Sequence, residues 1–130
     1  MKKKLIDKAL TARERAYSPY SRFCVGAALL SSDGEIFTGV NIENSSYGAT
    51  VCAERSAFAA AISAGKRDFD AIAIVGAPAG EKIDELCYPC GICRQFMLEF
   101  CSESFEIILF DGKNIVTKTL GELLPEGFRL

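Results

Sequence analysis

The chain has 130 residues, of which 49% are apolar and 25% charged, enough for one compact domain with a real core. Fifteen basic residues against seventeen acidic ones leave a net charge of −2, which argues against a nucleic-acid partner, because phosphate recognition needs a basic face. No apolar run reaches the roughly 20 residues of a membrane span, and the charges at Asp7, Arg13, Glu14 and Arg15 prevent an apolar signal core after Met1-Lys2-Lys3-Lys4, so a cytoplasmic location is expected.

Residues 3–16 carry Leu5, Ile6, Ala9, Leu10, Ala12 and Ala16 at helical spacing, and Tyr17-Ser18-Pro19-Tyr20 ends that helix. Phe23 to Leu30 reads as a strand, Ser31-Ser32-Asp33-Gly34 as a turn, and Glu35 to Val40 as the second strand of a hairpin. The polar segment Asn41 to Thr50 reads as a loop. Residues 51–64, rich in alanine, read as a helix that Gly65 stops. Phe69 to Ala77 has the continuous apolar run of a buried central strand. A loop over residues 78–89 leads to a helix over 91–101, a strand from Phe105 to Phe110, a turn at Asp111-Gly112-Lys113-Asn114, a short strand from Ile115 to Thr117, and a helical turn from Thr119 to Leu124. This order predicts an α/β fold in which one central sheet has helices on both faces.

Two short segments carry chemistry. Cys52-Ala53-Glu54 and Pro89-Cys90-Gly91-Ile92-Cys93 both fall at predicted helix starts, where free amide hydrogens and partial positive charge stabilise thiolates. Each of these helices follows a strand, so their starts are expected to converge over one end of a parallel pair. Because the chain has no histidine, a metal site must use cysteine and carboxylate. Cys52, Cys90 and Cys93 would hold one tetrahedral ion with its fourth position open, as catalytic zinc sites do, and Glu54 would stand beside that opening.

Other readings of the cysteines remain. Cys87-Tyr88-Pro89-Cys90 has the same spacing, so Cys52, Cys87, Cys90 and Cys93 could instead close a structural site, and a lone Cys-x-x-Cys could be a redox pair. Cys24 and Cys101 lie in apolar stretches and read as buried thiols. Three thiolates and Zn²⁺ sum to −1, which weakens the pull on water. Arg55 and Arg94, each next to a key residue, are the cations that could offset it.

Tyr17-Ser18-Pro19-Tyr20-Ser21, Phe23-Cys24-Val25-Gly26-Ala27-Ala28, Gly39-Val40-Asn41-Ile42-Glu43-Asn44, Cys52-Ala53-Glu54-Arg55 and Pro89-Cys90-Gly91-Ile92-Cys93-Arg94-Gln95 together resemble the small homotetrameric cytidine deaminases, in order and over nearly the whole chain. The resemblance implies a single domain over residues 1–130, a three-layer α-β-α sandwich around one mixed sheet. It implies hydrolytic deamination of cytidine and deoxycytidine for pyrimidine salvage, by a zinc-activated water with Glu54 as proton shuttle. One zinc ion per chain would be held by Cys52, Cys90 and Cys93. Asn41 and Glu43, two apart on an extended segment and so on the same side, would bind a ribose hydroxyl. Phe23 would pack on the pyrimidine and the Ala53 amide would meet its carbonyl. Tyr47 and Phe128 would reach into neighbouring active sites of a D2 homotetramer. The segment between Gly76 and Pro89 looks a few residues longer than in compact members, which leaves its path and the place of Cys87 open. A zinc-stabilised interaction module, or a deaminase of an antibiotic nucleoside such as blasticidin S, are the competing functions. No phosphate-binding cluster suggests a nucleotide, the acidic balance and absence of a basic arm disfavour a polynucleotide, and without an apolar span no membrane partner is expected.

Overall fold

The computed structural model describes residues 1–130. Helix α1 (Lys2–Arg13) precedes strands β1 (Phe23–Ser31) and β2 (Ile36–Val40); a 3₁₀ turn (Tyr47–Ala49) leads to α2 (Ala53–Ser63). Strand β3 (Phe69–Pro78), helix α3 (Gly91–Phe100), strands β4 (Glu106–Phe110) and β5 (Ile115–Thr119), and the short helix α4 (Leu120–Leu123) follow. The five strands form one sheet in the order β2-β1-β3-β4-β5. Strand β1 is antiparallel to both β2 and β3, β3–β4 is parallel, and β4–β5 is antiparallel. The sheet is therefore mixed, as expected.

Alternation along the strands sorts the two faces. Ala27, Leu29, Ile72, Ile74, Ile107 and Leu109 point to one side, where α2 brings Ala57, Phe58 and Ala61 and α3 brings Met97 and Leu98. Ala28, Ala71, Ala73, Val75 and Ile108 point to the other side, against Leu5, Ile6 and Ala9 of α1. The result is the three-layer sandwich. Phe58 is the hub of the first layer, its ring meeting those of Phe69, Phe96, Phe100 and Phe105 at centroid distances of 5.0 to 6.3 Å.

Two glycines set how closely the layers approach. A Cβ on Gly26 would overlap the Ala9 carbonyl oxygen, and one on Gly39 would overlap backbone atoms of Ala53 and Ala57. The second contact seats the first turns of α2 directly on β2.

Helix α1 ends sooner than the apolar spacing predicts, at Arg13 rather than residue 16. Tyr17 is taken into an isolated bridge with Ile42, its N–H donating to the Asn41 carbonyl and its own carbonyl accepting from Glu43 N–H, and that pairing needs extended backbone. Arg13 is not a solvated charge. Its guanidinium donates to the carbonyls of Cys24, Ala77 and Pro78, tying α1 to the adjacent ends of β1 and β3. At the opposite terminus Arg129 donates to the carbonyls of Leu98 and Cys101 at the end of α3, and Gln95 Nε2 donates to the Phe128 carbonyl. No helix is long and apolar enough to cross a membrane.

Candidate active site

Topology brings three chain segments to one end of the sheet. Gly26 pairs with Val40 and Phe23 with Pro78, so the start of β1 lies between the carboxyl ends of β2 and β3. The connections from β2 to α2 and from β3 to α3 leave from that end, the usual place for a ligand in an α/β sheet. Here the expected parallel pair needs correction. Strands β2 and β3 run in the same direction but are not neighbours, because β1 is hydrogen-bonded between them. The helix starts still converge, across β1 rather than over an adjacent pair.

Cys52 and Cys90 are the N-cap residues of α2 and α3, both with extended backbone, and neither thiol caps its own helix. Cys93 follows in the first turn of α3 and is buried. The three sulfurs lie within 4.8 Å of one another, with Cys52 Sγ and Cys90 Sγ at 3.8 Å. Sulfurs each about 2.3 Å from a common ion at tetrahedral angles stand about 3.8 Å apart, so the donor set fits zinc. Hydrogen bonding from Cys93, helped by Arg55 and Cys90, holds the Cys52 thiol below its ordinary value. Cys93 moves the other way because it holds the proton it gives to Cys52, and burial adds to this.

Cys87 does not join the cluster. Its Sγ lies against Gly76, where an added Cβ would stand 2.8 Å from it and 2.9 Å from Phe23 Cε2. Cys87 and the Phe23 ring thus sit side by side over a bare stretch of β3, and burial pushes the Cys87 thiol up to about 12. The closed four-cysteine arrangement is not what the chain builds. Cys101 is buried as expected, with its thiol also pushed up to about 12 by burial. Cys24 is only half-buried, its Sγ 3.1 Å from Ser18 Oγ, a correction to the fully buried thiol expected from its apolar neighbours.

Glu54, in the first turn of α2, is only 4% exposed. Burial pushes its carboxyl up to about 7, and the neighbouring Cys52 thiolate pushes the same way. Ala53 is fully buried as the first residue of α2, a position whose N–H has no helical partner. Arg55 reaches back across the helix start, Nη2 donating to Thr50 O at 3.2 Å and to Cys52 Sγ at 3.6 Å, while its Nε is buried without a partner. Arg94 has a different place. Its Nε donates to Pro89 O and its Nη1 to Leu123 O, so it braces the peptide ahead of Cys90 instead of bonding to a thiolate.

Asn41 is buried at the end of β2, its Oδ1 accepting from Val25 N–H and its Nδ2 donating to Phe23 O. Glu43 is gripped by the Tyr17–Phe23 loop: Oε1 accepts from the N–H groups of Tyr20 and Ser21, and Oε2 accepts from Ser21 Oγ. These bonds hold its carboxyl below the usual range, the Ser21 hydroxyl first. A cleft of about 380 Å³ opens here, lined by Tyr20, Ser21, Glu43, Asn44, Tyr47 and Thr50. Three larger clefts, about 650, 630 and 630 Å³, lie along α1, beside the segment that follows it, and at the end of α3; none holds a clustered sulfur, so the donor set and not volume locates the site. Phe23 is 39% exposed at the start of β1; Tyr47, whose ring lies 6.3 Å from that of Tyr20, and Phe128 are 78% and 68% exposed.

Residues 1–109 match the family described as the cytidine and deoxycytidylate deaminase zinc-binding region. The cytidine deaminase of Sporosarcina psychrophila is 49% identical over 126 residues, 96% of this chain and 89% of its own. A blasticidin-S deaminase of Bacillus cereus is 38% identical over 104 residues, 78% of this chain and 74% of its own. The crystal structure of cytidine deaminase from Burkholderia pseudomallei superposes with a TM-score of 0.88 at 44% identity, covering 97% of this chain and 98% of that one. The cytidine deaminase structure from Mycobacterium tuberculosis gives 0.81 at 38% identity, with 98% and 97% covered.

Proposed function

The chain belongs to the zinc-binding cytidine and deoxycytidylate deaminase family, and from that premise we propose that it hydrolyses cytidine and deoxycytidine to uridine and deoxyuridine, releasing ammonia. The observation that carries the reading is the meeting of three sulfurs, not four, with a buried carboxylate in the same helix turn as the first of them. Cys52, Cys90 and Cys93 would hold zinc, which would supply the Lewis acidity that makes water nucleophilic near neutral pH. Glu54 takes the proton that water gives up and places it on N3 of the pyrimidine, which makes C4 electrophilic. The water oxygen bonds to C4, and the same carboxylate carries the second proton from that oxygen to the exocyclic nitrogen, so the C4–N bond breaks, ammonia leaves and a carbonyl remains at C4. Burial keeps Glu54 from exchanging that proton with bulk water. Arg55, hydrogen-bonded to Cys52 Sγ, offsets the net negative charge that three thiolates leave on the site.

Phe23 packs against the pyrimidine, the Ala53 N–H meets its carbonyl, and Asn41 and Glu43 receive a sugar hydroxyl. By donor and acceptor count, Asn41 keeps one N–H and one lone pair after bracing β1. Tyr47 and Phe128 complete the sites of neighbouring subunits in a homotetramer, a reading supported by their exposure and by Ile92, also exposed beside Cys93. All 130 residues form one deaminase domain, working in the cytoplasm in pyrimidine salvage. Purified protein mixed with cytidine is expected to release one ammonia per uridine and to carry one zinc per chain, and sedimentation should give four chains per particle. Zinc without ammonia release would leave only an interaction module. The Bacillus cereus relative motivates blasticidin S as a parallel substrate; faster turnover of that compound than of cytidine would replace the nucleoside reading.

A further inference from the structure

The Ser21 side chain belongs to neither the metal site nor the predicted sugar ligands, yet it makes two bonds at once. Its Oγ donates to Glu43 Oε2 and accepts from Phe23 N–H at 3.0 Å. The hydroxyl therefore links the carboxylate to the backbone of the residue whose ring faces the site. Its own N–H and that of Tyr20 fill Glu43 Oε1 at 3.1 and 3.0 Å.

A carboxylate offers about four lone-pair positions. Three are occupied here, two on Oε1 and one on Oε2. One acceptor position is left, on the oxygen that Ser21 orients, and it borders the 380 Å³ cleft that Ser21 and Glu43 both line. Arg22 follows with φ of 61°, a left-handed backbone that a non-glycine residue adopts only under constraint. Its N–H donates to Ser18 O and its carbonyl accepts from Ala79 N–H at 2.7 Å, which supplies the constraint. The loop is thus closed on both sides of Ser21.

We propose that Ser21 is a positioning residue for sugar recognition: its hydroxyl fixes Glu43 to accept a single sugar hydroxyl and locks that acceptor to the Phe23 backbone. The inference rests on the nucleoside reading above. Without the hydroxyl, Glu43 keeps its backbone bonds at Oε1 but Oε2 is free to turn into water. Binding of substrates that present a sugar hydroxyl then weakens, while chemistry at C4, governed by Glu54, does not.

The test compares cytidine with 2′,3′-dideoxycytidine, which lacks both secondary hydroxyls, as substrates of the zinc-loaded parent enzyme, Ser21→Ala and Ser21→Thr. For cytidine, Ser21→Ala is expected to raise KM about tenfold with kcat within about twofold of the parent. For the dideoxynucleoside both constants should stay near the parent values, and Ser21→Thr should restore cytidine KM. Ser21→Cys, near in volume and a weak donor, serves the same comparison if Ser21→Ala is recovered unfolded. Equal rises in KM for both substrates would show a merely structural loop residue, and an unchanged cytidine KM would show that Glu43 needs no help; either overturns the proposal. A parent enzyme that does not deaminate cytidine would instead sink the functional reading itself.

Discussion

The sulfur cluster and the Glu43 cleft are built in opposite ways. The cluster stands on two helix starts at the edge of the core: Cys93, Ala53 and Glu54 are buried while Cys90 is exposed, and Gly39 lets α2 rest on β2 without a side chain between them. The cleft stands on an exposed loop whose shape comes from hydrogen bonds, three of them to one carboxylate. Bond-making chemistry needs groups that do not move and shelter from bulk water. Recognition of a sugar needs polar groups that remain reachable, and loops held on a rigid scaffold supply them. Damage to the first region should therefore appear in turnover or metal content, and damage to the second in KM.

The largest expected effect falls on the buried side. Glu54→Gln keeps the side-chain shape but cannot carry a proton, so kcat should drop by about 10³-fold or more while zinc per chain stays the same. A variant that retained turnover would remove Glu54 from the chemistry and collapse the contrast. Next comes Gly39→Ala, whose methyl group would meet the backbone of Ala53 and Ala57. It should cost about 2 kcal/mol of stability and lower zinc occupancy by displacing Cys52, seen as a lower Tm and a lower metal ratio. Full occupancy with parent Tm would mean that the helix seat is not what aligns the sulfurs.

Arg55→Gln should lower kcat about tenfold with most zinc retained, because the Nη2 bond to Cys52 is lost and the thiolates keep their full charge. A change confined to KM would move Arg55 to the recognition side. The smallest effect belongs to a feature in neither region. Lys66 donates to Asp33 at 2.6 Å and holds its carboxyl down to about 2 from 3.8. A depressed carboxyl stabilises the fold above its unfolded value and loses that contribution as pH falls through the folded one. The Tm difference between the parent and Asp33→Asn should thus be small, constant above about pH 4, and fade toward pH 2. A difference that grew on acidification would reverse the assigned sign.

The two regions also differ in how far the sequence alone announced them. Cys52, Glu54, Cys90 and Cys93 were readable because helix starts are local events, marked by alanine content and by a change of hydrophobic period. The neighbour of each strand was not. Nothing in the spacing of β1 or β2 tells that β1 pairs with β3 through nine register partners, and so separates the strands once expected to be adjacent. The place of Arg94 beside Cys93 suggests a cation for the thiolates, but its carbonyl partner Leu123 is 29 residues away in sequence. Cys87 had the spacing of a ligand, and only the bare surface of Gly76, brought over by the sheet, shows where its sulfur rests. Ser21 and Glu43 were both visible in the motifs, 22 residues apart, but a bond between two such polar residues leaves no periodic trace.

The Arg129 clasp on α3 has a practical outcome for anyone handling this enzyme. A purification tag fused after Leu130 would emerge next to the helix that presents Cys90 and Cys93 at its other end, and would tug on the clasp and on Phe128. A tag placed before Met1 would leave from the opposite layer, beyond α1, so the amino terminus is the better handle for immobilising the catalyst.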